Sequence, residues 1–256
     1  MPTSYVTKFS ALVLGLGAFM STMVAAQTFT PPAAATSSST TPYSDLSASQ
    51  ALAVDSSGDI FFSRPGSGIL AEKPANGGAE ITLYTAPSGG GGYPKGVAAN
   101  DTYAYLTDYA GHLWQVAIAG GAATDLLPAC NTVDAYYLGT QAVATDGLGN
   151  VYTAGNNETS LFKITSADVC SVVSGATLDA NSRIAADAAG DLAYSTGGTL
   201  YSLPVGATSP TAVVATFNSI IGLRSDAAGN VFVTTYSGIV EVPFINGALV
   251  LVEIAK

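Results

Sequence analysis

Short apolar runs of strand length recur along this chain, each broken by the same small cluster of turn residues. Four stretches share one phrase: ALAVDSSGDIFF from Ala51, AVATDGLGNVYT from Ala142, RIAADAAGDLAY from Arg183 and GLRSDAAGNVFV from Gly222. A blurred copy, GVAANDTYAYLT from Gly96, lies between the first two. Each phrase predicts two strands joined by a tight turn, because an Asp side chain caps its own turn and a Gly supplies the positive φ that closes it. The anchors Asp55, Asn100, Asp146, Asp187 and Asp226 are spaced 39 to 46 residues apart. That is the period of a four-stranded propeller blade, so the predicted fold class is all-β, a β-propeller of antiparallel blades.

The units run at about 47–91, 92–138, 139–179, 180–219 and 220–256. In the third, the pattern places strands at 141–145, 150–154, 160–165 and 170–174. Two places before each anchor stand Ala53, Ala98, Ala144, Ala185 and then Arg224. Innermost strands converge on the propeller axis, where alanine suits the narrow space. Strand three alternates, as in HLWQVAI from His112, SLFKITS from Ser160, TLYSLPV from Thr199 and GIVEVPF from Gly238. Its aromatics Trp114, Phe162 and Tyr201 occupy equivalent places and read as packing between blades.

The recurring phrase also has the flavour of calcium-binding Asp/Gly loops. A calcium loop needs several oxygen ligands at alternating positions, and DSSGDI, DGLGNV, DAAGDL and DAAGNV supply one or two each, so the motif reads as turn chemistry.

Written out, the phrase resembles the NHL-type propeller repeat, Gly-Val-Ala-Val-Asp, two variable residues, then Gly-Asn-Ile/Val-Tyr-Val. The likeness covers about residues 47–256 and is good in units one, three and five, fair in four and poor in two, where NDTYAYL lacks the turn glycine. The resemblance implies a secreted or periplasmic propeller, in a superfamily that also holds gluconolactonase-like hydrolases, streptogramin lyases and many binding proteins. It implies no particular activity. Five units that begin at strand one and end with ALVLVEIAK favour five blades; six would need the segment before residue 47 to contribute strands.

Residues 1–26 read as a signal peptide: Lys8, an apolar stretch FSALVLGLGAFMSTMVAA, and small residues Val24 and Ala26 before the cut. Residues 27–46, rich in Ser, Thr, Pro and Ala, read as a flexible tether. The rest is apolar enough for a sizeable core, with a mean hydropathy of +0.37 over the chain and charged residues at only 10%. The formal net charge is −10, and loss of Lys8 leaves seven basic against eighteen acidic residues. Nucleic acid and anionic membranes are poor candidates as partners on that ground, and no membrane insertion is expected after signal cleavage. Cys130 and Cys170 lie almost one repeat apart, which fits either a disulfide between neighbouring blades in an oxidising compartment or two buried thiols.

Function is to be sought where the units differ: on the face built by the entries to strand one and the loops between strands two and three. There the sequence offers Arg64, Lys95, Asp108, Tyr109, Gln141, Asn156, Asn157, Glu158, Arg183, Arg224 and Tyr236 as ligand-binding candidates. No catalytic residue, metal ligand or cofactor is assigned. A metal-dependent lactonase-like hydrolase or lyase would want carboxylates near the axis, and those positions hold Gln, Lys, Arg and Ala. A histidine-based lyase would depend on His112, the single histidine, and no Gly-x-Ser-x-Gly elbow occurs. The preferred expectation is a non-catalytic recognition module for a protein, peptide or polysaccharide. In so acidic a chain, Arg183 and Arg224 near the axis suggest a pocket for a carboxylate or sulfate, unless local acids such as Asp179 pair with them. Asn-x-Thr sequons stand at Asn100 and Asn157.

Overall fold

The structure, a computed structural model, describes residues 46, 49–86, 93–128, 130, 142–154, 160–179, 181–217, 219–245 and 248–249. The signal and tether expectations, and the candidates Gln141, Asn156, Asn157 and Glu158, lie outside the described residues.

Alternating short strands build five antiparallel sheets, the blades of a propeller. The first orders β1 (Leu52–Val54), β2 (Ile60–Arg64), β3 (Ile69–Lys73) and β4 (Ile81–Thr85); the second β5 (Pro94–Ala99), β6 (Tyr103–Asp108), β7 (Leu113–Ala117) and β8 (Thr124–Asp125). The third holds β9 (Val143–Thr145), β10 (Val151–Ala154), β11 (Leu161–Ile164) and β12 (Cys170–Val172), within two residues of the bounds read from the repeat. The fourth holds β13 (Ile184–Ala186), β14 (Leu192–Thr196), β15 (Thr199–Leu203) and β16 (Thr211–Thr216). In the fifth, three strands are described, β17 (Gly222–Ser225), β18 (Val231–Thr235) and β19 (Gly238–Val242), followed by a hairpin of β20 (Phe244–Ile245) and β21 (Ala248–Leu249). Five blades is thus the number the fold adopts.

The recurring phrase builds its turn as the residue types dictate. Asp187 Oδ1 accepts from the Ala189 and Asp191 amides, each at 2.9 Å, and Asp226 does the same with Ala228 and Asn230. Asn100 substitutes with Thr102 and Tyr103, which is why the blurred unit turns without a glycine. The last residue of the phrase has a second role: Asp59, Asp191 and Asn230 accept from the Ala75, Val205 and Phe244 amides, pinning the turn after strand three. Gly190 and Gly229 adopt φ of 90° and 84°, where side chains are strained. Each also lies under the neighbouring blade: a methyl at Gly190 would stand 3.1 Å from Asp146 Oδ2, and one at Gly229 3.1 Å from Asp187 Oδ2.

Innermost strands follow one another in contact around the axis, β1, β5, β9, β13, β17. Among the described residues, four apolar seams lie between consecutive blades. Phe61, Leu70, Leu106 and Val116 fill the first; Tyr105, Leu113, Val151 and Phe162 the second; Tyr152, Leu161, Ile184 and Tyr194 the third; Leu200, Leu223, Val231 and Val233 the fourth. Fully buried side chains of this size contribute about 1.5–3 kcal/mol each. Cys130 and Cys170 form a disulfide with Cα atoms 5.0 Å apart, tying the connection after β8 to the start of β12 beside the second seam. Closing a 40-residue separation stabilises by about 4 kcal/mol through the unfolded chain.

Candidate functional site

Strand-one entries and the turns between strands two and three share one face, and three basic side chains meet on it. Lys95, Arg183 and Arg224 line a cavity of about 390 Å³ at the mouth of the axial channel, with Gln50, Ile221 and Thr234. Beneath it the channel narrows to about 130 Å³, walled by Ala53, Ala98, Ala144 and Ala185 with Arg224 completing the ring. The alanines therefore do line the axis. At the far end a cavity of about 580 Å³ opens among Asp55, Asp101, Asp146, Asp187 and Asp226.

Local backbone explains how each cation reaches the mouth. In β5 the register slips between Pro94 and Val97, so Lys95 and Gly96 together face Thr107 in a bulge that redirects the chain. The bulge is held by Gly96 N–H donating to Thr107 Oγ1 at 2.9 Å. Ser63 and Ser195 accept from Ala51 and Arg183 amides in the same way, fixing the entries to β1 and β13. The Lys95 ammonium sits 3.5 Å from the Tyr109 ring centroid, a cation–π contact. Tyr109 meets Tyr93 edge-on at 6.3 Å, and both rings are more than half exposed.

Arg224 reaches across the axis from β17. Its guanidinium donates to Leu223 O at 2.8 Å, to Val97 O in the second blade at 3.2 Å, and to Leu52 O in the first. Its side chain remains exposed to the channel, while the protein packed around the guanidinium lowers its pKa below the usual value by desolvation. Among the described residues its partners are neutral carbonyls, so a full positive charge is held there without a carboxylate. Arg183 donates to Ile221 O at 3.1 Å, Asn181 O at 2.8 Å and Ser182 O at 3.0 Å. Burial lowers its pKa too, opposed by the nearby Asp179 and Tyr236.

Asp179 is a hub of a different kind. Burial pushes its carboxyl up, but four hydrogen bonds outweigh this and hold it low: from the Gly197 amide at 2.7 Å, the Asn181 amide at 2.9 Å, Thr196 Oγ1 and Ser182 Oγ. It stands in a second cavity of about 390 Å³, between the fourth and fifth blades, that shares Arg183 and Ile221 with the first. Tyr236, 84% exposed, forms part of its wall.

Two other candidates are turned to structural ends. Arg64 forms a bidentate pair with Glu80, Nη2 to Oε2 at 2.7 Å, and covers the Phe62 ring at 4.9 Å. Asp108 is buried, accepting from Trp114 Nε1 at 3.0 Å and from the His112 amide at 3.0 Å, with His112 Nδ1 3.0 Å from its Oδ2. Its carboxylate organises the turn into β7 instead of facing the cavity. The cavity beside Asp179 gathers two of the candidates, Arg183 and Tyr236, with groups the repeat does not single out. Its residues Ser195, Thr196, Gly197 and Ser219 come from a strand end, a turn and the connection into β17, places where no repeated phrase marks them. Among the described residues, no group of three or more His, Cys, Asp or Glu side chains is placed to hold a metal ion.

No protein-family model and no curated protein matches the sequence. Solved structures match it in fold. A nidogen–laminin complex chain aligns with a TM-score of 0.62 at 14% identity, over 76% of this chain and 75% of that one. Virginiamycin B lyase from Staphylococcus aureus aligns with a TM-score of 0.56 at 12% identity, over 79% and 72%. A structural genomics protein of unknown function from Bacteroides thetaiotaomicron gives 0.59 at 17% identity, over 74% and 57%. At these identities the likeness is one of architecture, so the chain is a propeller similar in fold to both a partner-binding protein and a lyase.

Proposed function

We propose that this propeller is a non-catalytic recognition scaffold, exported from the cytoplasm, that binds an anionic ligand at the channel mouth of its loop face. The observation that carries the reading is Arg224. Among the described residues this guanidinium bonds carbonyls and no carboxylate, so in a chain with net charge −10 it offers an anion a charge-assisted partner. Lys95 and Arg183 border the same cavity, and its volume falls within the range of ~300–1,000 Å³ usual for small-ligand sites. The structural likeness to a chain from a nidogen–laminin complex is compatible with partner binding on such a face.

Calorimetric titration with sodium glucuronate and with sodium sulfate tests this. At least one should bind, and Lys95→Gln and Arg183→Gln should each weaken it by about tenfold, the worth of a charged hydrogen bond. Variants that melt like wild type and bind both anions equally well would sink the reading.

A lyase-type activity is the second reading, favoured by the likeness to virginiamycin B lyase and by the pairing of His112 with the buried Asp108. That pairing fixes the imidazole in the manner of a general base. His112 lines neither loop-face cavity, which ranks this reading below the first. Turnover of a lactone or cyclic depsipeptide that His112→Ala abolishes would reverse the ranking.

A further inference from the structure

The two loop-face cavities adjoin and differ in chemistry. The channel-mouth cavity is lined by three cations, whereas the one between the fourth and fifth blades is lined by Asp179, Asn181, Thr196 and Ser219 with the rings of Tyr236 and Phe217. Arg183 and Ile221 belong to both. A ligand that extends from one into the other therefore meets positive charge first. Next it meets hydroxyl and amide groups beside an ionised carboxylate, and finally an exposed aromatic face.

We infer that the ligand is an acidic polysaccharide in which a uronate alternates with a neutral sugar: the uronate carboxylate lies at Lys95, Arg183 and Arg224, and the next, uncharged ring lies in the Asp179 cavity against Tyr236. This rests on the anion-binding reading above. Charge alternation selects the class. Asp179 is held ionised by its four hydrogen bonds, so a second carboxylate placed beside it is repelled, while a sugar hydroxyl can donate to the carboxylate or pair with Asn181, Thr196 and Ser219. An acidic peptide with successive carboxylates meets that repulsion at its second residue. Tyr236, with its ring almost fully exposed and no core role, supplies the flat apolar surface on which the C–H face of a pyranose stacks. Each cavity is of small-ligand size by itself, so the pair accommodates two units in series.

The test compares three probes on the full chain: glucuronate, a hyaluronan tetrasaccharide, which alternates glucuronate with a neutral amino sugar, and tetra-glutamate. The tetrasaccharide should bind at least about tenfold more tightly than glucuronate, since the second cavity adds contacts at no further cost of capture. Tyr236→Ala should weaken the tetrasaccharide by about threefold to tenfold and leave glucuronate unchanged. Asp179→Asn should bring tetra-glutamate closer to the tetrasaccharide. Equal affinity for glucuronate and tetrasaccharide, or a Tyr236→Ala protein that binds both as wild type does, overturns the two-cavity assignment while the anion site stands. Tetra-glutamate binding more tightly than the tetrasaccharide makes the ligand a peptide and overturns the polysaccharide. If no probe binds, the anion site itself falls.

Discussion

Among the described residues, four seams of this propeller and the one that closes it are made differently. Between blades one and two, two and three, three and four, and four and five, apolar side chains interlock, and motif-face contacts stitch the rims. Those contacts are Ser56 N–H to Asp101, Asn100 to Thr145, Asp146 against Gly190 and Asp187 against Gly229. Between blades five and one the described residues provide no such cluster. Among the described residues, Arg224, which departs from alanine at its position in the repeat, reaches across that seam to Leu52 O. Repetition is self-complementary along the four described seams, whereas the described contact across the closing one comes from a residue that breaks the repeat and carries charge at the channel mouth.

The largest effect that would sharpen this contrast lies in a repeated seam. Phe162→Ala, at a side chain 1% exposed between blades two and three, should cost about 3–5 kcal/mol in urea unfolding, from lost transfer energy and a cavity the blades cannot refill. Next comes Asp146→Ala. This buried carboxylate accepts from the Leu148 and Asn150 amides, Asn150 Nδ2 and Tyr152 Oη, so its loss should cost about 3 kcal/mol while anion binding by the folded protein is unchanged. Arg224→Met should cost less, about 1–2 kcal/mol, because three carbonyls lose a donor at a side chain that is exposed to the channel and leaves no cavity in a seam. It should also abolish binding at the mouth. An Arg224→Met protein as unstable as Phe162→Ala would mean that closure is no weaker than the other seams.

The smallest effects concern pH and have opposite signs. Burial raises the pKa of Glu72, aided by Asp59 and Asp55. A raised folded pKa means that protonated Glu72 favours the fold, a contribution present below the unfolded value of 4.5 and lost as pH rises through the folded one. Glu72→Gln should thus melt higher than wild type at pH 7, with the gap closing as pH falls to 4. Asp179, held low by its hydrogen bonds, stabilises above the unfolded value of 3.8 and loses that contribution as pH falls through its folded pKa. Asp179→Asn should therefore melt lower than wild type at pH 6 and approach it under strong acid.

Much of this architecture could be read from the chain because the turn phrase is local. Asp187 bonds amides two and four residues ahead, so its pattern needs no knowledge of the rest of the molecule. The ring of alanines and the outlier Arg224 were legible for the same reason, since equivalent positions in a repeat share a place in space. The fates of Arg64 and Asp108 were not. Each stands at a strand end where the side chain can turn either way, and the choice was made by Glu80, 16 residues away, and by Trp114 across a turn. The cavity beside Asp179 was legible in part, since Arg183, Tyr236 and the turn after β14 stand on the face where the units differ, but Phe217 and Ser219 join them only when the fourth seam closes.

The two mouths of the channel give the disc a polarity that acts before any contact is made. Asp55, Asp101, Asp146, Asp187 and Asp226 border one opening, and Lys95, Arg183 and Arg224 the other. A long polyanion diffusing towards the protein is turned away by the first and drawn to the second, so productive encounters are oriented at a distance of about one Debye length, ~10 Å at 0.1 M salt. Added salt should then slow association far more than it hastens release, a kinetic signature of a protein that sorts its approaches by face.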